Sequence, residues 1–140
     1  MFLQVCYRVG TLGSANLSEI KNHLTSVSKS KKLQRHCVLG DFNLSNTSWP
    51  EGVSTNEVER GFLELFDDLS LTQLIDGPTH EKGNTLDLVL SNVPNLVSEL
   101  KILDQNVVCS SDHSGISFNL GAVKRKKSPK REVPNYAKAA

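Results

Sequence analysis

The sequence has no long hydrophobic run and few cysteines, and both absences limit the kinds of protein it can be. No apolar segment approaches the ~20 residues that a membrane-spanning helix needs, so we expect no membrane partner. The amino terminus shows no basic region followed by an apolar region and a cleavage site, so we expect no signal peptide. The cysteines, Cys6, Cys37 and Cys109, are odd in number and widely spaced. That favours reduced thiols in an intracellular protein over disulfides or a zinc site.

The charge is unevenly distributed, although the 140 residues carry a formal net charge of only +1. Residues 121–140 hold seven of the 16 Lys and Arg residues and one of the 15 acidic residues. We therefore divide the chain into one soluble domain, residues 1–120, and a basic linker or tail, residues 121–140. The run Lys124, Arg125, Lys126 and Lys127 is typical of a solvated linker, and it could also contact nucleic-acid phosphates.

Hydrophobic patterns predict strands that alternate with two helices. The predicted strands are Phe2–Tyr7, which we expect to be buried, His36–Phe42, Leu86–Ser91, Val97–Leu103 and Gly115–Leu120. Apolar residues at helical spacing predict one helix capped by Asn16 with Glu19, and a second capped by Ser54 with Glu57. This order indicates an α/β or α+β layered domain.

The segment Gly40–Asn43 (GDFN) carries the strongest chemical signal. It follows the apolar run Cys37–Val38–Leu39, so Asp41 and Asn43 lie at a strand end, two residues apart and on the same side. A carboxylate there can take a proton from water while an amide holds a transferring group, as phosphodiester hydrolysis requires. Taken alone, Asp41 is also compatible with a turn cap after a strand.

Three further residues support the same chemistry. Asp87 falls in an otherwise apolar strand, where a carboxylate needs a partner, and His113 is the natural one. Alternation leaves open that Asp87 faces solvent instead. Asp112 offers a carboxylate to Mg²⁺, and an N-cap role remains an alternative.

Several polar residues are secondary candidates. The side chains of Thr79, Asn84 and Thr85 suit hydrogen bonds to backbone near the site and equally suit turns, and His80 follows Thr79 directly. We expect Trp49 to pack under the loop after Asn43. His23 is expected at the surface, and His36 in a structural role.

These segments resemble the C-terminal part of the endonuclease/exonuclease/phosphatase family, and within it the apurinic-type endonuclease domains of non-LTR retrotransposons. The matching segments are VCYRVG (Val5–Gly10), VLGDFNL (Val38–Leu44), QLIDGPTHEKGNTLDLVLSN (Gln73–Asn92) and SSDHSGISFNL (Ser110–Leu120). Together they span about residues 2–120. The segment that ends in LDLVLSN favours the retroelement branch.

The resemblance implies a reaction and roles for its residues. The reaction is Mg²⁺-dependent (or Mn²⁺-dependent) cleavage of the DNA phosphodiester backbone to a 3′-hydroxyl. Tyr7 matches the phosphate-contacting tyrosine, Asp41 the general base, and Asn43 the residue that supports the base and the transition state.

The second half of the implied site lies later in the chain. Asp87 matches the aspartate that orients the histidine, His113 the phosphate-polarising histidine, and Asp112 the metal-associated acid. The implied fold is a truncated four-layer αββα sandwich. The family's metal-binding Glu and an active-site Asn belong to an N-terminal half that has no match here. We therefore expect the chain alone to be inactive or very weak, with that missing half as a partner.

Two alternatives remain from the sequence. One is a phosphatase or phosphodiesterase of another branch of the family, because substrate choice within a fold depends on loops. The other is a non-catalytic nucleic-acid-binding remnant that keeps the basic tail. We expect an intracellular location, nuclear rather than cytoplasmic, because a retroelement endonuclease acts on nuclear DNA.

Overall fold

A computed structural model describes residues 1–9, 13–30, 35–108 and 110–121 of the chain. The elements in chain order are β1 (Phe2–Tyr7), α1 (Gly13–Lys29), β2 (His36–Asp41), β3 (Thr47–Ser48), β4 (Val53–Ser54), α2 (Glu57–Asp68), β5 (Thr72–Gln73), β6 (Asp87–Ser91), β7 (Val97–Leu103), α3 (Gln105–Val108) and β8 (Gly115–Leu120). Cys109 and the basic residues Lys124–Lys127 lie outside the described residues, as does most of the predicted tail.

A mixed four-stranded sheet with the strand order β1-β2-β6-β5 forms the centre of the fold. Strands β1 and β2 are parallel, and β6 is antiparallel to both β2 and β5. Two hairpins, β3–β4 and β7–β8, are separate from this sheet. The parallel pair requires a crossover between β1 and β2, and helix α1 lies in that connection.

The sheet has a hydrophobic core on each face. Val38, Leu88 and Leu90 pack with Leu24 of α1 and Phe62 of α2 on one face. On the other face, a smaller cluster of Cys37, Ile75 and Val89 packs against the β7–β8 hairpin. Consecutive strand residues point to opposite faces, so one run of apolar residues supplies both cores. The described residues therefore form an α/β layered sandwich, as the sequence predicts.

Strand β1 has the predicted bounds, but the expectation that it is buried is wrong. It lies at the edge of the sheet, and Leu3, Val5 and Tyr7 are 47%, 76% and 71% exposed. Their register partners in β2 are Cys37, Leu39 and Asp41. The β7–β8 hairpin covers this face of the sheet over the central strands but leaves β1 exposed. An apolar run indicates a strand but does not say which strands the next layer reaches, which is why the prediction failed.

Gly40 permits an unusually close approach of β1 and β2. Its φ angle is +142°, and it lies opposite Cys6 in the register. A Cβ atom on Gly40 would lie 1.7 Å from the carbonyl oxygen of Cys6. Glycine is therefore required directly before Asp41, because any side chain would push the two strands apart.

The starts of helices α1 and α2 differ from the predicted ones. Helix α1 begins at Gly13, so Asn16 lies within its first turn and does not cap it. Helix α2 is capped by Asn56, whose side chain accepts a hydrogen bond from the amide of Glu59. Ser54 has the capping spacing but is taken up by strand β4. No helix within the described ranges is long and apolar enough to cross a membrane.

Candidate active site

The candidate site lies at one end of the central sheet, where β1 and β2 end and β6 begins. Asp41, the last residue of β2, is paired in the register with Asp87, the first residue of β6. Tyr7, the last residue of β1, is the register partner of Asp41 on the other side. The structure therefore brings three of the predicted site residues to neighbouring positions on three strands. The Tyr7 side chain is exposed there.

A turn after β2 places Asn43 next to Asp41. Strand β2 ends at Asp41, so Asn43 lies outside the strand. The prediction that strand alternation puts the Asp41 and Asn43 side chains on the same side is therefore wrong. Instead, Asn43 adopts a left-handed φ of 51°, and its backbone N–H donates to Asp41 Oδ1 at 2.9 Å. Asparagine tolerates this conformation better than most residues, so the turn itself favours an Asn at position 43.

Arg8 stabilises this turn through hydrogen bonds to its backbone. The sequence analysis predicts no role for it. Its guanidinium Nη1 donates to the carbonyl oxygens of Phe42 at 3.2 Å and Asn43 at 2.9 Å. The guanidinium carbon also lies 5.3 Å from the centre of the Phe62 ring. Only 4% of Arg8 is exposed, so it braces the turn and does not present a charge to solvent. Its position directly after Tyr7 in the matched segment VCYRVG was the available signal.

Asp87 and His113 form the pair that the sequence suggests. Asp87 Oδ2 lies 2.7 Å from His113 Nδ1, and the two side chains are 20% and 30% exposed. The alternative, an Asp87 that faces solvent, is therefore not what the structure has. A cavity of about 200 Å³ opens beside Asp87, between the sheet and β8, with Val89, Ile116 and Phe118 in its wall. This apolar surrounding strengthens the hydrogen bond.

Two loop segments pair to hold His113 in place. The amide of Ser114 donates to the Thr79 carbonyl oxygen at 2.7 Å, and the amide of Glu81 donates to the Asp112 carbonyl oxygen at 2.9 Å. Between them, residues 80 and 113 form a β-bridge. The loop of residues 79–81 is therefore the support for the loop of residues 112–114.

The buried hydroxyl of Thr79 connects these loops to β6. Thr79 has no exposed surface, and its Oγ1 accepts hydrogen bonds from the amides of Leu86 and Asp87, both at 3.0 Å. Asn84 donates from Nδ2 to the Ser45 carbonyl oxygen, and Thr85 donates from Oγ1 to that of Gly77. Both interpretations of these polar residues hold, because the amides of Thr79 and His80 also donate to the Asn84 carbonyl oxygen and close a turn.

His80, Asp112 and His113 meet where the two loops pair. The Nε2 atom of His80 lies 3.3 Å from Asp112 Oδ2, and the His80 and His113 rings are 4.9 Å apart, edge to face. Against the effect of burial, hydrogen bonds from its own backbone amide and from His80 lower the pKa of Asp112. His80 was only a secondary candidate, because its bridge to residue 113 cannot be read from local sequence.

Electrostatics shift the pKa values of the two central groups upward. Burial first, and then the negative charge of Asp87, raise the pKa of Asp41. A carboxylate with a raised pKa is a stronger base for a water proton. Burial opposes a charged His113, but the Asp87 hydrogen bond and the charges of Asp87, Asp41 and Asp112 outweigh it and raise the pKa of His113.

Folding should become less favourable as the pH rises through the pKa of His113. This pKa lies above its ordinary value of 6.5 in the folded chain, so folding stabilises the imidazolium. This stabilisation of the folded state is fully present below about pH 6.5, and it is lost at pH values above the raised pKa of His113. The charged and titratable groups that face this ring are Asp87, Asp41, Asp112 and His80. The measurement is urea unfolding with EDTA present, at pH values on both sides of 6.5.

The matched variant for this prediction is Asp87→Asn. It removes the hydrogen-bonded charge but keeps the size of the side chain, so the pKa of His113 should fall in an NMR titration. The pH dependence of unfolding should shrink with it. An unchanged pKa of His113 in Asp87→Asn would contradict the assignment of this pair.

Glu59 orders the loop that follows the Asp41 turn, and it too was missed. It is 3% exposed and accepts hydrogen bonds from Asn46, Thr47 and Ser54. Trp49 packs against the helix-side core, to which Phe42 and Leu44 belong. A glutamate on an amphipathic helix normally faces solvent, which hid this role.

The cysteines and His36 lie apart from this chemistry. Cys6 and Cys37 are free thiols, and burial raises the pKa of both. Raised thiol pKa values make these cysteines poor nucleophiles. His36 is buried in a structural role, as expected, and burial followed by the charge of His23 lowers its pKa.

One group of potential metal ligands occurs within the described ranges. It consists of His80, Asp112 and His113, whose ligand atoms lie within 4.8 Å of one another. Mg²⁺ takes oxygen ligands, whereas this set offers two imidazole nitrogens and one carboxylate. The group therefore does not fit Mg²⁺, although Asp112 alone can contribute one oxygen to a water-rich ion.

Comparison with solved structures shows a fold similar to that of one endonuclease domain. The fold is similar to the endonuclease domain of TRAS1, a telomere-specific non-LTR retrotransposon, with a TM-score of 0.51 and 20% sequence identity. The match covers 72% of this chain and 49% of that one, so the chain spans about half the length of the structure it matches. At this identity the likeness concerns the fold alone.

The family follows from sequence. Residues 1–117 match the model of the family described as endonuclease-reverse transcriptase, and the chain belongs to that family. The predicted resemblance to retrotransposon endonuclease domains is thereby confirmed. No curated protein matches the chain.

Proposed function

We propose that the chain carries the phosphate-reacting part of a DNA endonuclease site that hydrolyses phosphodiester bonds. The observation that carries the proposal is the hydrogen bond of 2.7 Å between Asp87 and His113, set beside Asp41 at the same end of the sheet. A base and a positively charged hydrogen-bond donor at one edge are what attack on a phosphodiester requires.

The roles of the described residues follow from their positions. The Asp41 carboxylate takes a proton from the attacking water, and the amide of Asn43 holds that carboxylate in place. His113 donates from Nδ1 to Asp87, which leaves Nε2–H of the charged ring to donate to a non-bridging phosphate oxygen. Tyr7, exposed beside Asp41, is assigned to phosphate contact.

The cofactor in this proposal is a divalent ion, Mg²⁺ or Mn²⁺, as the family resemblance implies. When bound, the ion would neutralise developing charge on the phosphate. Asp112 is the carboxylate assigned to it. The imidazoles of His80 and His113 next to Asp112 are nitrogen ligands, which fit Mg²⁺ poorly.

The proposal also covers the substrate of the reaction, the location of the protein in the cell and the role of the basic tail. The substrate is the DNA backbone, cleaved to a 3′-hydroxyl, and the location is nuclear. The tail of residues 121–140, with Lys124–Lys127, is proposed to add sequence-independent contacts to phosphates. The 140-residue chain by itself is proposed to be inactive or very weak, because Asp112 is the only metal-binding carboxylate that the resemblance assigns here.

The test is nicking of supercoiled plasmid by the 140-residue chain with Mg²⁺, Mn²⁺ or EDTA. We expect at most weak nicking, and none with EDTA. Asp41→Asn and His113→Ala should each lower any nicking by about 10²–10⁴, the usual contribution of an acid or base group. The control His23→Ala, in an exposed histidine of α1, should nick like the unchanged chain.

A second readout keeps the proposal testable when nicking is below detection. Titration with a short DNA duplex should shift the imidazole NMR signals of His113 and leave those of His23 in place. Nicking that survives in both variants would overturn the proposal, as would duplex binding without a shift of His113. Binding that needs residues 121–140 but neither Asp41 nor His113 would indicate the non-catalytic alternative.

A further inference from the structure

The spacing of His80, Asp112 and His113 is close to that of a transition-metal site. Ligand atoms of a tetrahedral zinc site lie about 3.4 Å apart, given metal–ligand bonds of about 2.0–2.1 Å. The separation of His80 Nε2 and Asp112 Oδ2 is already 3.3 Å, and the whole group lies within 4.8 Å. A tetrahedral site requires the ligand atoms to close from within 4.8 Å to about 3.4 Å, and Asp112, with 59% of its side chain exposed, has room to move.

The donor set selects the class of ion. Two imidazole nitrogens with one carboxylate oxygen suit borderline ions such as Zn²⁺ and Co²⁺, whereas Mg²⁺ takes oxygen ligands. We propose that His80, Asp112 and His113 form a binding site for a borderline transition-metal ion, with Zn²⁺ preferred over Mg²⁺. Three protein ligands leave a fourth position for water.

The surroundings of His113 favour this site. Its Nδ1 is hydrogen-bonded to Asp87, which leaves Nε2 as the nitrogen available to a metal ion. A histidine ligand whose other nitrogen bonds a carboxylate is the usual arrangement in metal sites, because the carboxylate fixes the ring and raises its basicity. Asp87 therefore serves the metal site as an orienting group.

The backbone near His80 provides a specific reporter of binding. In the metal-free chain the amide of Lys82 donates to His80 Nδ1 at 3.2 Å, so the proton of His80 is on Nε2 and faces Asp112. Metal binding at Nε2 moves this proton to Nδ1 and releases the Lys82 amide. The hydrogen bond is exposed to solvent, so water replaces it at little net loss.

The site does not depend on the proposed function, since binding is measured without DNA. It does share Nε2 of His113 with that mechanism. Under the proposed function, a Zn²⁺ ion at this site therefore competes with phosphate for the same nitrogen. Binding and nicking are measured separately, so failure of one is distinguishable from failure of the other.

The experiment is titration of the 140-residue chain with Zn²⁺ by calorimetry, repeated with excess Mg²⁺. We expect one ion per chain and no displacement by Mg²⁺. His80→Gln and Asp112→Asn should each weaken binding at least about tenfold, and His23→Gln should leave it unchanged. In NMR spectra, Zn²⁺ should shift the Lys82 amide and the ring nitrogens of His80 and His113.

The controls separate this site from thiols and from misfolding. Co²⁺ absorption distinguishes sulfur from nitrogen ligands, and Cys109→Ser should leave binding intact. Circular dichroism establishes that each variant folds. Should His80→Gln fail to fold, Asp112→Asn decides, because its carboxylate is mostly exposed. Unchanged affinity in Asp112→Asn, equal competition by Mg²⁺, or thiol bands with Co²⁺ would overturn the proposal.

Discussion

Replacement of Gly40 by alanine should abolish cooperative folding or destabilise the chain by at least about 3 kcal/mol. Two effects add at this residue. Its φ of +142° is a conformation that L-residues rarely adopt, and the new Cβ would lie 1.7 Å from the Cys6 carbonyl oxygen. The clash is with backbone, so only separation of β1 from β2 relieves it. Urea unfolding followed by circular dichroism measures the loss.

Gly83→Ala is the matched control for this prediction. Gly83 also has a positive φ, +85°, but a Cβ there would meet nothing within 4 Å. It therefore reports the conformational strain alone, which we expect to cost about 1 kcal/mol. Similar unfolding midpoints for the Gly40 and Gly83 variants would contradict the close approach of β1 and β2.

Thr79→Val should destabilise the chain by about 2–4 kcal/mol, because it leaves two amides without an acceptor. The Thr79 hydroxyl oxygen accepts from both Leu86 and Asp87, and the residue is fully buried. Valine has nearly the shape of threonine and carries a methyl group in place of the hydroxyl. The same change should lower the pKa of His113, because the backbone of Asp87 loses its support. Urea unfolding and an NMR titration measure the two effects.

Thr79→Ser isolates the role of the hydroxyl. Serine keeps the acceptor and loses one methyl group, a change worth about 1 kcal/mol in a core. We expect the pKa of His113 to stay as it is in the unchanged chain. The assignment of Thr79 as the support of Asp87 would be wrong if the serine and valine variants lowered stability and the pKa of His113 equally.

The strands and the second helix were predictable because their signals are local. Val97–Leu103 and Gly115–Leu120 have the predicted bounds, since each contains several strand-forming apolar residues among polar ones. The apolar face of α2 is continuous, and Phe62, Leu65 and Phe66 on it are buried. Short elements such as β3, β4 and β5 were missed, because two-residue strands carry too little periodicity.

Features that depend on distant contacts were not predictable. Glu59 lies in a helix, but it is buried because a loop folds back onto its carboxylate. His80 gains its importance from a bridge to His113, 33 residues later in the chain. The exposure of β1 depends on how far the β7–β8 hairpin extends over the sheet. Each of these is decided by packing between elements and has no local sequence signal.

The residues of the candidate site were easier to predict from the sequence than the residues that hold them in position. Asp41 and Asp87 are charged residues at the ends of apolar strands, a pattern visible without a structure. The structure brings Asp41 and Asp87 together at one end of the sheet, as predicted, and their catalytic roles stay predictions. Arg8 and Thr79, which hold the site, look like ordinary residues of a strand end and a turn. Sequence patterns thus indicate where chemistry occurs more readily than what positions it.

The exposed row Leu3, Val5 and Tyr7 on β1 bears on how long the protein would persist in a cell. Within the described residues β1 pairs with β2 alone, so apolar side chains and an open strand edge lie together. Surfaces of this kind are bound by chaperones and make chains prone to aggregation and degradation. We therefore expect this polypeptide to aggregate and to be degraded quickly unless another surface covers β1.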